Sequence, residues 1–143
     1  MNIYLAADHR GFELKQFLIQ KFPEFIDLGA FSYDKDDNDV DFAVRAAKDL
    51  KPEDRAVLLC GSGHGMDMAA NKFSHVRGIL GFNPDVVQMG RDHEDANVLI
   101  LPAEWTTPEE AVERINLFMS TPFSQQEKYR RRLEKLSSLG TNH

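Results

Sequence analysis

Residues 56–67 read AVLLCGSGHGMD, an apolar run followed by a glycine-rich loop. A run of about five apolar residues bounded by turn signals predicts a strand that is buried on both faces. Glycines at positions 61, 63 and 65 allow a tight turn and let backbone N–H groups approach a bound anion. Helix-forming residues over 67–73 predict that the loop opens onto a helix N-terminus, which carries partial positive charge. We therefore expect this stretch to form the floor of an active site.

Cys60, the only cysteine of the chain, falls at the end of this strand and has two interpretations. A free cysteine is most often a small buried core residue. Alternatively, a helix end and a neighbouring cation lower its pKa below about 8.5, which makes it a base or a nucleophile. The glycine-rich loop beside it favours the functional interpretation.

Strand and helix patterns alternate along the whole chain. Strand-forming runs occupy residues 2–7, 25–29, 56–60, 77–82 and 97–102, helical spacings lie between them, and a last amphipathic helix runs from about 124 to 139. Such alternation predicts an α/β fold. We expect residues 1–143 to form a single three-layer α/β/α domain, Rossmann-like, with a five-stranded parallel sheet.

The crevice of an open parallel sheet lies at the carboxyl ends of its strands. This rule places Asp8 and His9, after the first strand, beside the loop that follows Cys60. The segment after the fourth or fifth strand joins them. His93 falls at the end of the helix before the fifth strand, so the pattern alone leaves its approach to the crevice open.

Composition limits the classes of partner. A net charge of −6 and a pI near 5.3 argue against nucleic acid, and no apolar segment reaches the roughly 18 to 20 residues that span a bilayer. The start of the chain lacks the pattern of a signal peptide, so we expect a cytoplasmic protein without membrane contact.

In a chain of net negative charge, an anionic substrate needs a local basic pocket. Lys128 and Arg132, four apart on one helix face, are candidates, although a solvated charged face is the alternative.

The remaining polar candidates are ambiguous on their own. His9, His64 and His93 lie near aspartates that would favour a charged imidazole, but an exposed and idle histidine is equally compatible with each position. Ser62 is either a donor to a developing oxyanion or a turn residue. The glycine-rich loop matches neither the dinucleotide fingerprint nor the P-loop, so a tight turn is its alternative. No Cys-x-x-Cys or His-x-x-x-His spacing supports a metal site, and we expect no metal.

Together these motifs resemble the type B ribose-5-phosphate isomerases, a group that includes the allose- and galactose-6-phosphate isomerases. The resemblance is carried by ADHRGFELK at 7–15, LCGSGHGM at 59–66, AANK at 69–72 and HEDANVL at 93–99. It covers nearly the full length of the chain. The second and fourth blocks together are far more specific than a lone glycine motif.

The resemblance implies a reversible aldose–ketose isomerisation through a cis-enediolate, without metal or organic cofactor. It makes Cys60 the base that moves a proton between C1 and C2, and His93 the acid that opens the sugar ring. Lys128 and Arg132 occupy the positions of the residues that bind the phosphate in the family. The residues implied to contact substrate are Asp8, His9, Gly61, Ser62, Gly63, His64 and Gly65. The family builds each site from two subunits, which implies a homodimer or a dimer of dimers with the C-terminal helix reaching a neighbour's site.

The chain departs from the family pattern at several positions. Glu94 replaces an asparagine, Glu104 replaces a substrate-binding arginine, and Lys128 replaces one of two phosphate-binding arginines. Asp39-Val40 stands in place of a tyrosine-proline pair. The new carboxylates at 94 and 104 would repel a phosphate unless they point away or serve a sugar hydroxyl.

We therefore expect an isomerase acting on a phosphorylated sugar, with ribose 5-phosphate and ribulose 5-phosphate as the first assignment. The alternative, motivated by Glu94 and Glu104, is the same mechanism on allose or galactose 6-phosphate or on an unusual sugar. A second alternative is a non-catalytic protein that binds sugar phosphates.

Overall fold

The computed structural model describes residues 1–139, and a parallel sheet lies at the centre of this part of the chain. The sheet has five strands in the order β2-β1-β3-β5-β4, and every neighbouring pair is parallel. The strands are β1 (Ile3–Ala7), β2 (Ile26–Asp27), β3 (Arg55–Cys60), β4 (Gly78–Leu80) and β5 (Val98–Pro102). Residues 140–143, which we assigned to the same domain, lie outside the described residues.

Helices cover both faces of the sheet, which confirms the predicted three-layer fold. Within residues 1–139 the helices are α1 (Phe12–Lys21), α2 (Asp39–Ala47), α3 (His64–Ala70), α4 (Pro84–Glu94), α5 (Pro108–Ser120) and α6 (Glu127–Ser137). Helices α1, α4 and α5 pack on one face, and α2 and α3 pack on the other. No helix of this described part is long and apolar enough to cross a membrane.

Strand β3 lies in the middle of the sheet and confirms the prediction of a strand buried on both faces. Val57 and Leu59 contribute to the core under α1 and α5, whereas Leu58 and Cys60 contribute to the core under α2 and α3. Side chains alternate across a strand, so a strand between two helical layers is apolar at every position. This arrangement places the thiol of Cys60 on the side of α2 and α3.

Two helices begin at the positions that their capping residues predict. The Asn83 side chain accepts a hydrogen bond from the Val86 N–H at 2.8 Å, and Pro84 occupies the first turn of α4. Thr107 and Glu110 form a reciprocal capping box at the start of α5. Both arrangements satisfy N–H groups that the helix leaves unpaired.

The structure differs from the predicted boundaries in several places, among them β4, which spans Gly78–Leu80 rather than 77–82, and α6, which spans Glu127–Ser137 rather than about 124–139. Helix α3 begins at His64 rather than at Asp67, because Gly63 adopts a φ of 83° and turns the chain directly into the helix. Strand β2 has two residues rather than five. A 3₁₀ turn, Ala103–Trp105, follows β5 and was not predicted.

Candidate active site

Asp8 and Cys60 meet at the carboxyl ends of β1 and β3, as the rule for parallel sheets predicts. One donor atom each from Asp8, Asp39 and Cys60 lies within 4.8 Å of the others. Asp8 follows β1, Cys60 ends β3, and Asp39 opens α2. These donors are close enough to meet at one metal ion, and the expectation of a metal-free site stays a prediction. The crevice therefore combines a thiol with two carboxylates.

Asp8 organises the turn after β1. Its Oδ1 accepts hydrogen bonds from the N–H groups of Arg10 at 3.0 Å and Gly11 at 3.1 Å. The residue is buried, and burial raises the pKa of its carboxyl group although these N–H groups oppose the shift. Asp8 is thus fixed in place with one carboxylate oxygen engaged by the backbone.

His9 is paired with Asp37, a residue that the sequence did not single out. His9 Nδ1 lies 2.7 Å from Asp37 Oδ1, and the His9 N–H donates to the same oxygen at 2.9 Å. The hydrogen bond to Asp37 raises the pKa of His9. Because Nδ1 is occupied by this contact, Nε2 is the ring nitrogen left for a ligand. An acidic run at 34–39 was the only signal in the sequence.

The expected low pKa of Cys60 is wrong in this structure. Burial raises the pKa of the thiol. N–H groups of Met66 and Gly63 oppose the shift, while the carboxylates of Asp8 and Asp39 add to it. The helix end that was expected to favour the thiolate is outweighed by desolvation and two negative charges. Cys60 rests in its thiol form.

The loop from Gly61 to Gly65 packs closely against its surroundings. A side chain on Gly65 would collide with the carboxylate of Asp39, and one on Gly63 would lie 2.5 Å from the Leu80 side chain. Ser62 Oγ accepts the His64 N–H at 3.3 Å, which is a turn contact that leaves the hydroxyl hydrogen available as a donor. The binding roles of Ser62 and the exposed His64 stay predictions.

Glu104, the apparent charge reversal, is neutralised by Arg10. Its Oε1 lies 2.7 Å from both Nε and Nη2 of Arg10. Its backbone N–H donates to the Gly61 carbonyl at 3.1 Å. The carboxylate is therefore engaged by a guanidinium within the same chain, and the expected repulsion of a phosphate by a bare Glu104 does not arise.

A second group of predicted site residues gathers around Tyr129. The His93 ring stacks on the Tyr129 ring with centroids 4.4 Å apart and planes 17° apart. The Lys128 ammonium and the Arg132 guanidinium lie 5.0 and 5.4 Å from the centre of the same ring. Tyr129, which was not predicted as a site residue, thus connects the candidate acid with the candidate phosphate-binding cations.

The two groups lie at opposite edges of the sheet. Helix α4 leaves the carboxyl end of β4 and runs back to the start of β5, so His93 at its last turn lies at the amino edge. The Ser124 N–H donates to the Asp92 carbonyl at 3.0 Å and fixes the segment before α6 at this edge. Cys60 lies at the carboxyl edge, a strand length of roughly 16 Å away. A single chain therefore carries two separate groups of predicted site residues, which we call the half-site around Cys60 and the half-site around Tyr129.

The fold is an open α/β fold with its candidate site at the carboxyl ends of the parallel strands. At this site a cysteine lies between two carboxylates and a glycine-rich loop. Comparison with known proteins is more specific. The family described as Ribose/Galactose Isomerase matches residues 3–136. The chain belongs to this family.

Relatives and a solved structure match two thirds or more of the chain. The chain is 36% identical to ribose-5-phosphate isomerase B of Mycolicibacterium paratuberculosis, covering 100% of this chain and 94% of the relative. It is 35% identical to the Escherichia coli protein of that name over 68% of this chain and 69% of the relative. The crystal structure of ribose-5-phosphate isomerase B from Mycoplasma genitalium with bound ribulose-5-phosphate matches with a TM-score of 0.92 and 32% identity, covering 99% and 97% of the two chains.

Proposed function

We propose that this protein is an aldose–ketose isomerase that interconverts ribose 5-phosphate and ribulose 5-phosphate through a cis-enediolate. The observation that carries the proposal is the full-length match to a solved isomerase B that holds ribulose-5-phosphate, combined with Cys60 at the carboxyl end of β3. The position of Cys60 between the substrate-side loop and Asp8 suits a base that must reach a sugar carbon.

Cys60 transfers the proton in this mechanism. The thiolate removes a proton from C2 of the open-chain aldose, the electron pair moves to form the C1–C2 double bond, and the carbonyl oxygen becomes the enediolate oxygen. The thiol then returns the proton to C1 while the proton of the C2 hydroxyl passes to the oxygen on C1, which gives the C2 carbonyl of the ketose and regenerates the thiolate. Because the pKa of Cys60 is raised, only a minor fraction is ionised near neutral pH, and the rate rises with pH.

The glycine-rich loop and Ser62 stabilise the enediolate oxygen. Backbone N–H groups and a hydroxyl in a narrow crevice are preorganised donors for a charge that develops only during the reaction. Asp8 is buried and fixed by two N–H groups, so it holds a sugar hydroxyl without moving. His9 offers Nε2, with its other ring nitrogen engaged by Asp37.

A second copy of the chain completes each site. His93 would open the sugar ring, and Lys128 and Arg132 would hold the phosphate, but all three lie at the edge opposite Cys60 in their own chain. In a symmetric dimer, the half-site around Tyr129 of one copy faces the half-site around Cys60 of the other. This arrangement supplies both the acid and the positive charge that a sugar phosphate requires.

Exposed apolar side chains at the sheet edge support such a homodimer. Phe82 follows β4 and Trp105 follows β5, and 57% and 77% of these residues are exposed in the single chain. Large exposed apolar side chains of this kind are typical of interfaces. A dimer of dimers is compatible with the same half-sites, and a cytoplasmic location remains a prediction from the sequence.

Steady-state kinetics on ribose, allose and galactose phosphates test the substrate assignment. Glu104 is paired with Arg10, so Glu94 is the one departure that still favours another sugar. We expect the highest kcat/KM with ribose 5-phosphate and an inactive Cys60→Ala variant that retains its fold. A preference for a hexose phosphate would reject the ribose assignment, and binding without turnover would reject the enzyme.

A further inference from the structure

The guanidinium of Arg10 lies directly over the backbone of Gly61, the residue that follows Cys60. A Cβ built on Gly61 would collide with this guanidinium, so glycine is the residue that leaves room for it. Arg10 follows β1 and Gly61 follows β3, and these strands are neighbours in the sheet. The positive charge of Arg10 therefore lies over the residue that directly follows Cys60.

Glu104 holds the guanidinium in this position. Both Nε and Nη2 of Arg10 lie 2.7 Å from Glu104 Oε1, and the Glu104 N–H donates to the Gly61 carbonyl at 3.1 Å. The Arg10 and Glu104 side chains are 46% and 48% exposed. An ion pair with this degree of solvent exposure adds little to the stability of a fold. Its clearest consequence is to fix a cation over the loop that follows Cys60.

The charges that face Cys60 come from several elements. Asp8 lies after β1, Asp39 lies at the start of α2, and both carboxylates oppose ionisation of the thiol. Arg10 is attracted to the ionised thiol, and the Glu104 carboxylate is in contact with Arg10. A base that must lose its proton between two carboxylates needs a cation nearby.

We propose that Arg10 is a positioning residue of this site: held by Glu104 over Gly61, its guanidinium stabilises the Cys60 thiolate against the charges of Asp8 and Asp39. The guanidinium also favours the negative oxygen of an enediolate formed beside Cys60. This second effect rests on the proposed isomerase function, whereas the effect on the thiol does not.

Alkylation of Cys60 measures the effect directly, because the chain has no other thiol. Intact-mass spectrometry follows the reaction with iodoacetamide from pH 6 to 10. In Arg10→Ala the curve of rate against pH moves to higher pH, and on its acid side the reaction slows roughly tenfold for a displacement of about one pH unit. Glu104→Gln keeps a side-chain oxygen that accepts from Arg10 and so holds the guanidinium in place, but it removes the opposing charge, and the curve moves to lower pH. Arg10→Lys keeps a cation and stays closer to the wild type.

Lys21→Ala is the matched control, since it removes one positive charge from an exposed position at the far end of α1. Its curve should coincide with that of the wild type. The proposal is overturned if Arg10→Ala and Glu104→Gln leave the curve in place or move it in the same direction, or if Lys21→Ala moves it equally.

Circular dichroism confirms that each variant is folded, and Glu104→Gln, which retains Arg10, decides the outcome if Arg10→Ala is not. Isomerase activity is measured in parallel. A wild-type protein without turnover would reject the proposed function while the alkylation curves still test Arg10.

Discussion

His93 and Tyr129 stack ring on ring, with centroids 4.4 Å apart, although one lies in the last turn of α4 and the other on α6. Tyr129 is buried and also lies under the cationic groups of Lys128 and Arg132. A single aromatic ring thus sets the position of the candidate acid relative to the candidate phosphate-binding charges. The half-site that a second copy would receive is built as one unit.

Replacing Tyr129 should weaken this unit as a whole. Tyr129→Ala removes the stacking and both cation–π contacts, and we expect KM for ribose 5-phosphate to rise roughly tenfold and kcat to fall as well. Tyr129→Phe keeps the ring and should remain near the wild type. Kinetics of both variants, with melting temperatures to confirm folding, check this expectation. Equal kinetics for Tyr129→Ala and the wild type would contradict it.

Mixing two inactive variants tests the shared site. Cys60→Ala and His93→Ala should each be inactive as pure proteins. After denaturation and refolding of an equal mixture, random dimers regain about a quarter of the wild-type activity, because half of them are mixed and each mixed dimer has one intact site. The matched control is Cys60→Ala alone, refolded identically at the same total concentration. Absence of recovery in a mixture that demonstrably contains mixed dimers would place the two residues in one chain's site or outside it.

Local signals determined which parts of the fold the sequence predicted well. The caps at Asn83 and Thr107 involve residues only three positions apart, so they are recognisable in the sequence and begin their helices as expected. The ends of β2 and the 3₁₀ turn after β5 depend on pairing and packing with distant segments. A short window of sequence does not contain those contacts, and the predicted boundaries are wrong there.

The same distinction between local signals and distant contacts applies to the candidate site. Asp8 and Cys60 were predicted together because the ends of parallel strands share one edge. The pairing of Arg10 with Glu104 joins residues 94 positions apart, and that of His9 with Asp37 spans 28. Neither was predictable, because both depend on how the loops fold over the sheet edge. The pKa of Cys60 was misjudged for the same reason: burial and the Asp39 carboxylate are tertiary effects.

The pair of His9 and Asp37 makes a pH-dependent contribution to stability. The hydrogen bond raises the pKa of folded His9 above the unfolded value near 6.5, so its stabilisation is fully present below that value. It is lost as pH rises through the folded pKa. Asp37→Asn should therefore lower the melting temperature more at pH 5.5 than at pH 9. Asp36→Asn, at an exposed neighbouring position, is the control and should show no such difference. A decrease of equal size at both pH values would show that the charge of His9 is not involved.

Removing the carboxylate of Asp39 should make Cys60 easier to ionise. Asp39 lies within 4.8 Å of the thiol and its charge helps to raise the pKa of Cys60. A raised thiol pKa means that the thiolate appears only as pH increases, so Asp39→Asn moves the curve of alkylation rate to lower pH and speeds the reaction at pH 7 several-fold. Asp41→Asn, in the same first turn of α2 but exposed, removes an equal charge and should leave the curve unchanged. Measured with iodoacetamide and intact-mass spectrometry, a curve for Asp39→Asn that overlays that of Asp41→Asn would mean that the charge of Asp39 does not help to keep Cys60 protonated.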